Sequence, residues 1–405
     1  MHTAIVGGGA AGFFLAINLR ELCPGMQVTI LERSQHLLQK VKVSGGGRCN
    51  CTNTFEDVGD LSAVYPRGHR LMRRLLKSFS QRDAFAWFQN RGVRLTIQED
   101  HCVFPATQDS QTIIDCFLTA ARRLQVNIRT SQRVDDLTGL DTYDYVVITT
   151  GGLRADTPLA HSLAAAGHTI LPPVPSLFTF SIADPALREL MGTVVPDATA
   201  LLPGTSFRAS GPLLITHWGM SGPAILKLSS YAARHLAEAG YQAPLAVNWV
   251  SADEERVRQE LQRLIAQHPQ RLTTSLRPFD LPARLWTFIA ARSGVGSRRL
   301  AELSKRDINR LTASLTADTY TIASRAPFKD EFVTCGGIAI ASVNPSTLES
   351  RHRPHLYFAG EVLDIDGITG GFNFQAAWTT AHTVATAIAN HTEGKKESEQ
   401  EGTIF

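Results

Sequence analysis

Over the first third of the chain, short apolar runs that stop at glycine or proline alternate with stretches of helical spacing. Residues 3–6 are apolar or β-branched and end at Gly7; residues 10–22 then carry Phe14, Ile17 and Leu22 at helical spacing until Pro24 and Gly25 halt the run. Residues 27–31 predict a second strand with Glu32 at its end. A strand–helix–strand unit of about 30 residues predicts parallel strands joined by a right-handed crossover. Further along, Phe104-Pro105 reads as a loop and residues 112–124 as a helix. Residues 126–134 and 143–149 read as strands, the second a buried Val-Val-Ile strand that stops at Gly151 and Gly152.

The pattern changes where Pro172, Pro173 and Pro175 cluster. From 173 to 250, short apolar runs alternate with Gly and Pro turns and predict mainly β structure. Residues 254–267, 282–292, 297–303 and 306–315 predict helices, 320–323 and 356–359 strands, and 374–388 a long apolar helix. Residues 393–401 are polar and predict a mobile tail. The expected division is one domain from 1–172 and 333–405, with an insert at 173–332 that is β-rich at 173–250 and 317–332 and helical at 251–316. No internal repeat is present.

Composition narrows the function classes. The 405 residues hold 40 Lys+Arg and 37 Asp+Glu, for a net charge of +3, and 43% are hydrophobic. That balance excludes general disorder and a strongly basic nucleic-acid binder. No apolar run reaches the roughly 18 residues of a membrane span. The start of the chain leads straight into a strand, without a leader, and predicts a cytoplasmic protein. Six cysteines without a C-x-x-C pair predict neither a disulfide framework nor a metal site.

Gly7-Gly8-Gly9-Ala10-Ala11-Gly12 matches G-x-G-x-x-G between a strand and a helix. Gly7 permits the turn, Gly9 lets backbone approach a pyrophosphate, and Gly12 lets helix and strand pack closely. The helix N-terminus then offers free N–H groups and partial positive charge to phosphates. Glu32, about 20 residues on, is placed to accept hydrogen bonds from a ribose diol, and an acidic side chain there disfavours a 2′-phosphate. One dinucleotide is expected to bind tightly. The only rival fingerprint, Gly294-Val295-Gly296, is left incomplete by Ser297-Arg298-Arg299, so a second dinucleotide would have to bind without its own Rossmann domain.

Two more glycine clusters carry recognition chemistry. Lys40 precedes Ser44-Gly45-Gly46-Gly47-Arg48-Cys49-Asn50-Cys51-Thr52-Asn53, which suits a loop around a phosphate-bearing ligand. Near the other end, Tyr357-Phe358-Ala359-Gly360-Glu361 runs into Gly367-Ile368-Thr369-Gly370-Gly371-Phe372-Asn373 and an apolar helix, whose N-terminus suits negative charge on a reduced flavin. Together with Thr216-His217-Trp218-Gly219-Met220-Ser221-Gly222-Pro223, these segments resemble the BaiN-like (YhiN-like) NAD(P)/FAD-dependent oxidoreductases, often called the aminoacetone oxidase family. The resemblance runs to about residue 390. It implies an α/β fold: a discontinuous glutathione-reductase-type FAD-binding Rossmann domain with an inserted β-barrel-like and helical region. It places FAD contacts on Gly7, Gly9, Ala11, Gly12, Glu32, Arg33, Lys40, Ser44, Gly45, Gly46, Gly47, Arg48, Cys49 and Asn50. Val134 near the adenine, Thr150, Gly151, Gly152, Gly360, Glu361, Gly371, Phe372 and Asn373 complete the implied set. The sequence departs from the family pattern at His101-Cys102 and at Ala381-His382, expected to bear on the substrate pocket and not on the cofactor core.

A flavin carries its own hydride chemistry, so no dedicated acid or base is required. His217 is the candidate acid–base residue, although it reads equally as a brace of the turn before a helix capped by Ser221. Cys49 and Cys51 form a C-x-C whose single spacer strains a disulfide. Arg70, Arg73, Arg74 and Lys77 line one face of a helix that is either solvated or an RNA contact. The reading is an FAD-dependent oxidoreductase in which NAD(P)H drives reduction of a small enone-like acceptor. The alternatives are an aminoacetone-type amine oxidase using O₂ and a flavin-containing RNA-modifying protein; nucleic acid and membrane partners are not expected.

Overall fold

The structure is a computed structural model that describes residues 1–326 and 333–401, the side chains of 395–401 excepted. The chain folds into two compact units, Met1–Val174 with Phe332–Phe405, and Pro175–Glu331. In the first unit β1 (His2–Val6), α1 (Ala10–Leu22), β2 (Gln27–Leu31), α2 (Gln39–Gly47), β3 (Thr52–Asn53) and α3 (His69–Leu75) come first. They are followed by α4 (Gln81–Gln89), β4 (Leu95–Ile97), β5 (Cys102–Pro105), α5 (Gln111–Arg123), β6 (Asn127–Arg129) and β7 (Tyr145–Ile148). The main sheet has five parallel strands in the order Leu356–Phe358, β7, β1, β2, β6, so the chain's last strand closes a sheet begun by its first.

Burial explains the apolar runs. Every residue of β7 is buried, as is β1 from Thr3 to Val6, which is why they read as continuous and not alternating. Helix α1 is buried from Ala11 to Leu19 and packs against the closing helix, Phe372–Glu401. Between them lies an aromatic cluster: the Phe14 ring is 4.5 Å from Trp87 and 5.2 Å from Trp378, and Phe117 is 5.5 Å from Trp378. Such rings contribute through area and edge geometry together.

Several expectations give way here. Phe104-Pro105 is not a loop but the end of β5, where Pro105 pairs with Leu95 at the end of a short three-stranded sheet. The strand expected over 126–134 is only β6, because only Asn127, Ile128 and Arg129 find ladder partners on β2. Residues 393–401 continue the closing helix instead of forming a loose tail.

The second unit is a closed six-stranded barrel, with strands Val194–Leu201, Arg208–Ile215, Gly219–Ser221, Phe180–Ile182, Asp318–Arg325 and Ala243–Asn248 in ring order. Its interior is filled by Phe180, Leu213, Met220, Leu245, Val247 and Ile322, so it is a packed core. Helices Glu254–Gln267, Ala283–Arg292 and Lys305–Thr316 belong to the same unit. Within the mainly-β stretch 173–250 the helix expected after Ser221 is present as Pro223–Tyr231, while two further helices, Pro185–Arg188 and Ala233–Glu238, were not expected. Ser221 does not cap Pro223–Tyr231: Gly222, at φ +88°, is the N-cap, Pro223 opens the helix, and the Ser221 hydroxyl bonds Thr179 at 2.8 Å. The helix expected over 297–303 is reduced to one 3₁₀ turn at Leu300–Glu302, because Arg298 and Leu300 are tied by backbone bonds to Thr273 and Arg271. Residues 327–332, part of the β-rich expectation, lie outside the described residues.

Candidate functional site

The first glycine loop is shaped by close approach. Gly7 sits at φ +118°, and a Cβ there would lie 2.5 Å from the Thr149 carbonyl oxygen; at Gly12 it would lie 2.0 Å from the Gly7 oxygen. Gly9 differs, since a Cβ there would meet nothing within 4 Å, leaving open space above the backbone at the N-terminus of α1. Glu32, at the end of β2, accepts from the N–H of Gly8 at 2.7 Å and of Ser34 at 2.8 Å, one oxygen each. Each oxygen keeps a further lone pair for a diol. Val134 is half-buried in the segment after β6, where the Gln132 N–H donates to the Glu32 carbonyl; Arg33 is exposed.

In α2 the helix breaks at Ser44, and Gly45, Gly46 and Gly47 follow at φ +56°, +69° and +84°. Three successive left-handed residues account for the glycine run. Arg48 folds back, donating to the Gly45 carbonyl at 3.1 Å with its guanidinium 4.3 Å above the Phe104 ring. The Asn50 amide, in the orientation that satisfies its neighbours, donates to the Thr52 carbonyl at 2.8 Å and accepts from the Gly371 N–H at 3.2 Å.

The two chain ends meet across this site. Lys40 donates to both Glu361 oxygens, at 2.9 and 2.6 Å, and Glu361 Oε1 also accepts from the Thr334 N–H at 2.8 Å. Gly152 is pressed so closely on Thr334 that a Cβ would lie 2.1 Å from its hydroxyl, and Thr150 is exposed beside Gly151. A Cβ at Gly360 would come within 2.9 Å of Ala11. Gly371, at φ +90°, is packed on β3, where a Cβ would lie 2.3 Å from the Thr52 oxygen. Asn53 donates to the Gly370 carbonyl at 3.1 Å. Asn373 ties back onto Gly367, accepting from its N–H and donating to its carbonyl at 2.8 Å each, while Phe372 is buried against Tyr65.

The residues flagged by chemistry fare differently. Cys49 and Cys51 are both fully buried free thiols with their sulfurs 4.0 Å apart. Burial, then the hydrogen bond with Cys49, pushes the Cys51 thiol well up, which leaves a poor nucleophile. The departures from the family pattern are not where they were expected. Cys102 lies on β5 paired with Asn53, next to Asn50, so it does touch the expected cofactor loop; burial pushes its thiol up to about 12. His101, at φ +62°, bonds Thr54 and lies 2.8 Å from Asp57. His382 is inside the aromatic core, stacked on Phe79 at 4.6 Å, and burial lowers its pKa. His217 is exposed on the turn between two barrel strands in the second unit, its ring 4.9 Å from that of Trp218. On α3, Arg70, Arg73 and Arg74 are exposed, as is Lys77 just beyond it; Arg73 pairs with Asp60 at 3.0 Å.

Sequence reasoning passed over the pair Arg67–Asp366. Asp366 is fully buried, its Oδ1 accepting from Arg67 Nε at 2.5 Å and its Oδ2 from Nη2. Asp366 immediately precedes the glycine-rich segment 367–373, but nothing in the neighbourhood of Arg67 marks it. Among the described residues no group of three or more metal-ligating side chains occurs, and no helix is long and apolar enough to cross a membrane. An open backbone cradle at Gly9, a strand-end carboxylate at Glu32 and a glycine-bearing helix start at Phe372 together suit FAD.

Residues 1–387 match the family described as HI0933-like protein Rossmann domain. A 3-dehydro-bile acid Δ(4,6)-reductase of Clostridium scindens is 28% identical over 95% of this chain and 98% of its own length. A ribosomal RNA dihydrouridine synthase of Escherichia coli is 28% identical over 93% of this chain and 95% of its own. The solved 3-ketosteroid Δ1-dehydrogenase of Sterolibacterium denitrificans has a similar fold, at a TM-score of 0.50 and 12% identity, over 96% of this chain and 99% of its own. The chain belongs to the HI0933-like Rossmann family, the BaiN- and YhiN-type FAD-dependent oxidoreductases, and is an enzyme of that class.

Proposed function

We propose that the enzyme takes electrons from NAD(P)H and saturates a carbon–carbon double bond conjugated to a carbonyl in a small organic acceptor. FAD, when bound, supplies hydride transfer at N5. Gly7, Gly9 and Gly12 with the start of α1 would hold the pyrophosphate, Glu32 the adenosine ribose, and Val134 the adenine side. Lys40, the 44–50 loop, Gly151, Gly152, Glu361 and the Gly370–Asn373 turn would hold the rest of the cofactor. The backbone N–H groups at the start of the closing helix would favour negative charge at the flavin's pyrimidine edge. His217 is the proposed proton donor to the reduced acceptor.

The observation that carries the reading is the joining of both chain ends at one place: Lys40 to Glu361, Gly360 on Ala11, and Gly371 on Thr52. The names of the two relatives support the bond type. Both describe saturation of a double bond beside a carbonyl, in a 3-oxo steroid ring in one and a uracil ring in the other. The test is anaerobic mixing with NADPH or NADH, which should bleach the flavin, followed by a panel of enones, which should restore its colour. No bleaching with either nucleotide, together with peroxide release from aminoacetone, would overturn the proposal in favour of an oxidase.

A second reading, uracil within RNA as acceptor, is favoured by the relative named ribosomal RNA dihydrouridine synthase and by the exposed cations of α3 and Lys77. It requires a salt-sensitive gel shift with ribosomal RNA that disappears in the Arg73→Glu/Arg74→Glu variant.

A further inference from the structure

We propose that Gln375 is a positioning residue for the flavin: by accepting from Thr52 and donating to Thr379 it sets β3 against the closing helix, and β3 in turn sets the Gly370–Gly371 backbone. The proposal rests on the flavin reading above. Thr52, Gln375 and Thr379 are all buried. The Thr52 hydroxyl donates to Gln375 Oε1 at 2.7 Å, Gln375 Nε2 donates to the Thr379 hydroxyl at 3.0 Å, and that hydroxyl donates to the Phe79 carbonyl at 2.9 Å. The direction of this relay is fixed from one end. A carbonyl can only accept, so Thr379 gives its proton to Phe79 and can only accept from Gln375. The amide then turns its N–H toward Thr379 and its oxygen toward Thr52, whose hydroxyl must donate. Position 375 therefore needs a side chain of this length with one donor and one acceptor, which glutamine provides and a carboxylate does not.

Gln375, Trp378 and Thr379 share one helix face at i, i+3 and i+4 spacing. From that face Trp378 Nε1 donates to the Cys51 carbonyl, just before β3, at 2.8 Å. Strand β3 is paired with β5 at only two positions, Thr52 with Val103 and Asn53 with Cys102, so side-chain bonds must settle how it lies on the helix. It carries the turn directly. Asn53 donates to the Gly370 carbonyl at 3.1 Å, and Asn50 links the Thr52 carbonyl to the Gly371 N–H. The Thr52 carbonyl is also the atom that presses on Gly371. Gly370 and Gly371, at φ +125° and +90°, have no side chains with which to hold their own backbone. Any displacement of Thr52 is therefore passed to the turn on which the flavin would rest.

The experiment uses the full-length protein as wild type, Gln375→Glu and Gln375→Met. FAD affinity is read from fluorescence titration of the deflavinated protein, and melting temperatures without FAD alongside, from about pH 5 to about pH 9. Burial pushes a glutamate carboxyl above its ordinary value of about 4.3. While protonated it offers the same donor and acceptor as glutamine; once ionised it only accepts and cannot serve Thr379. Gln375→Glu should thus bind FAD within about twofold of wild type at the acid end and about tenfold or more weakly at the alkaline end, and Gln375→Met about tenfold more weakly throughout. The titratable groups around the relay, Cys49, Cys51, Cys102, Asp83 and His382, are common to all three proteins, so wild type supplies their baseline at each pH. Affinity within twofold of wild type in both variants across the range, with only the melting temperature lowered, would reduce Gln375 to a structural tie and overturn the proposal. Equally poor binding by Gln375→Glu at both ends would overturn it too, since the neutral acid would have failed to rescue. If Gln375→Met fails to fold, Thr52→Val removes the donor at the other end of the same bond with little change of shape: FAD should weaken about fivefold, and unaltered affinity overturns the relay. Wild-type protein that binds no FAD removes the flavin reading itself, a result distinct from all of these.

Discussion

Replacing Gly9 with alanine separates cofactor binding from folding. Gly9 sits at φ −93° and ψ −166°, an extended conformation that alanine adopts freely, and its added Cβ would meet nothing within 4 Å. The cofactor-free protein should therefore keep its stability to within about 0.5 kcal/mol, with a slight gain from the less flexible unfolded chain. The methyl group would fill the open space above the loop and keep phosphate oxygens from the N–H groups at the start of α1. Charge-assisted hydrogen bonds are each worth about 1.5–3 kcal/mol, so losing one weakens FAD by roughly tenfold to 150-fold. Fluorescence titration of the deflavinated protein gives the affinity, and thermal melts with and without FAD give the stability. Gly12→Ala is the contrasting control: its Cβ would lie 2.0 Å from the Gly7 oxygen, a backbone atom that cannot step aside, so about 3 kcal/mol or more is lost even without FAD. Gly9→Ala protein that binds FAD within twofold of wild type, or that melts like Gly12→Ala, would refute the reasoning.

Three other substitutions test separate parts of the site. Glu32→Ala strands the N–H groups of Gly8 and Ser34, costing about 1–3 kcal/mol in the cofactor-free protein and at least tenfold in FAD affinity, whereas Glu32→Gln, with one acceptor oxygen in place of two, should recover only part of the stability; denaturant melts and FAD titration read both. His217→Asn should leave the flavin spectrum and its bleaching by NAD(P)H intact while slowing acceptor reduction by 10²-fold or more, and an unchanged turnover number would discard His217 as the donor. His382 has its folded pKa lowered from 6.5 by burial, with Asp83 pulling the other way. Protons then bind the unfolded chain first, so stability is full above pH 6.5 and falls as the pH drops through that value toward the folded pKa. His382→Phe, which keeps the stack on Phe79, should flatten that acid limb in pH-dependent melts; an unaltered slope would assign the limb to other groups.

The βαβ start was legible because β1, α1 and β2 are local elements with buried faces joined by a glycine turn whose spacing is written in the chain, although Thr149 from β7's end supplies part of the crowding at Gly7. Elements that depend on partners were harder to read. Phe104-Pro105 is a strand because Leu95 lies opposite Pro105, and 130–134 is not one because β2 offers no partner beyond Leu31. The helix at Pro223–Tyr231 was legible from its Gly-Pro start, whereas those at Pro185–Arg188 and Ala233–Glu238 were hidden by the Gly and Pro turns around them. Cys102 and His382 were misplaced for a related reason: spacing along the chain says nothing of what packs against a residue from elsewhere.

The sequence by itself determined the Rossmann class and the family, since glycine spacing, strand hydrophobicity and long motifs are properties of the chain alone. Only the tertiary structure decided that Asn50 meets Gly371, that Lys40 meets Glu361, that the Cys49 and Cys51 sulfurs stay 4.0 Å apart, and that Arg67 neutralises Asp366. Except for the two cysteines, these partners are about 300 residues apart, and no local propensity records such a meeting. It arises when the closing strand and helix bury their apolar faces against β7 and α1 and bring their polar side chains with them.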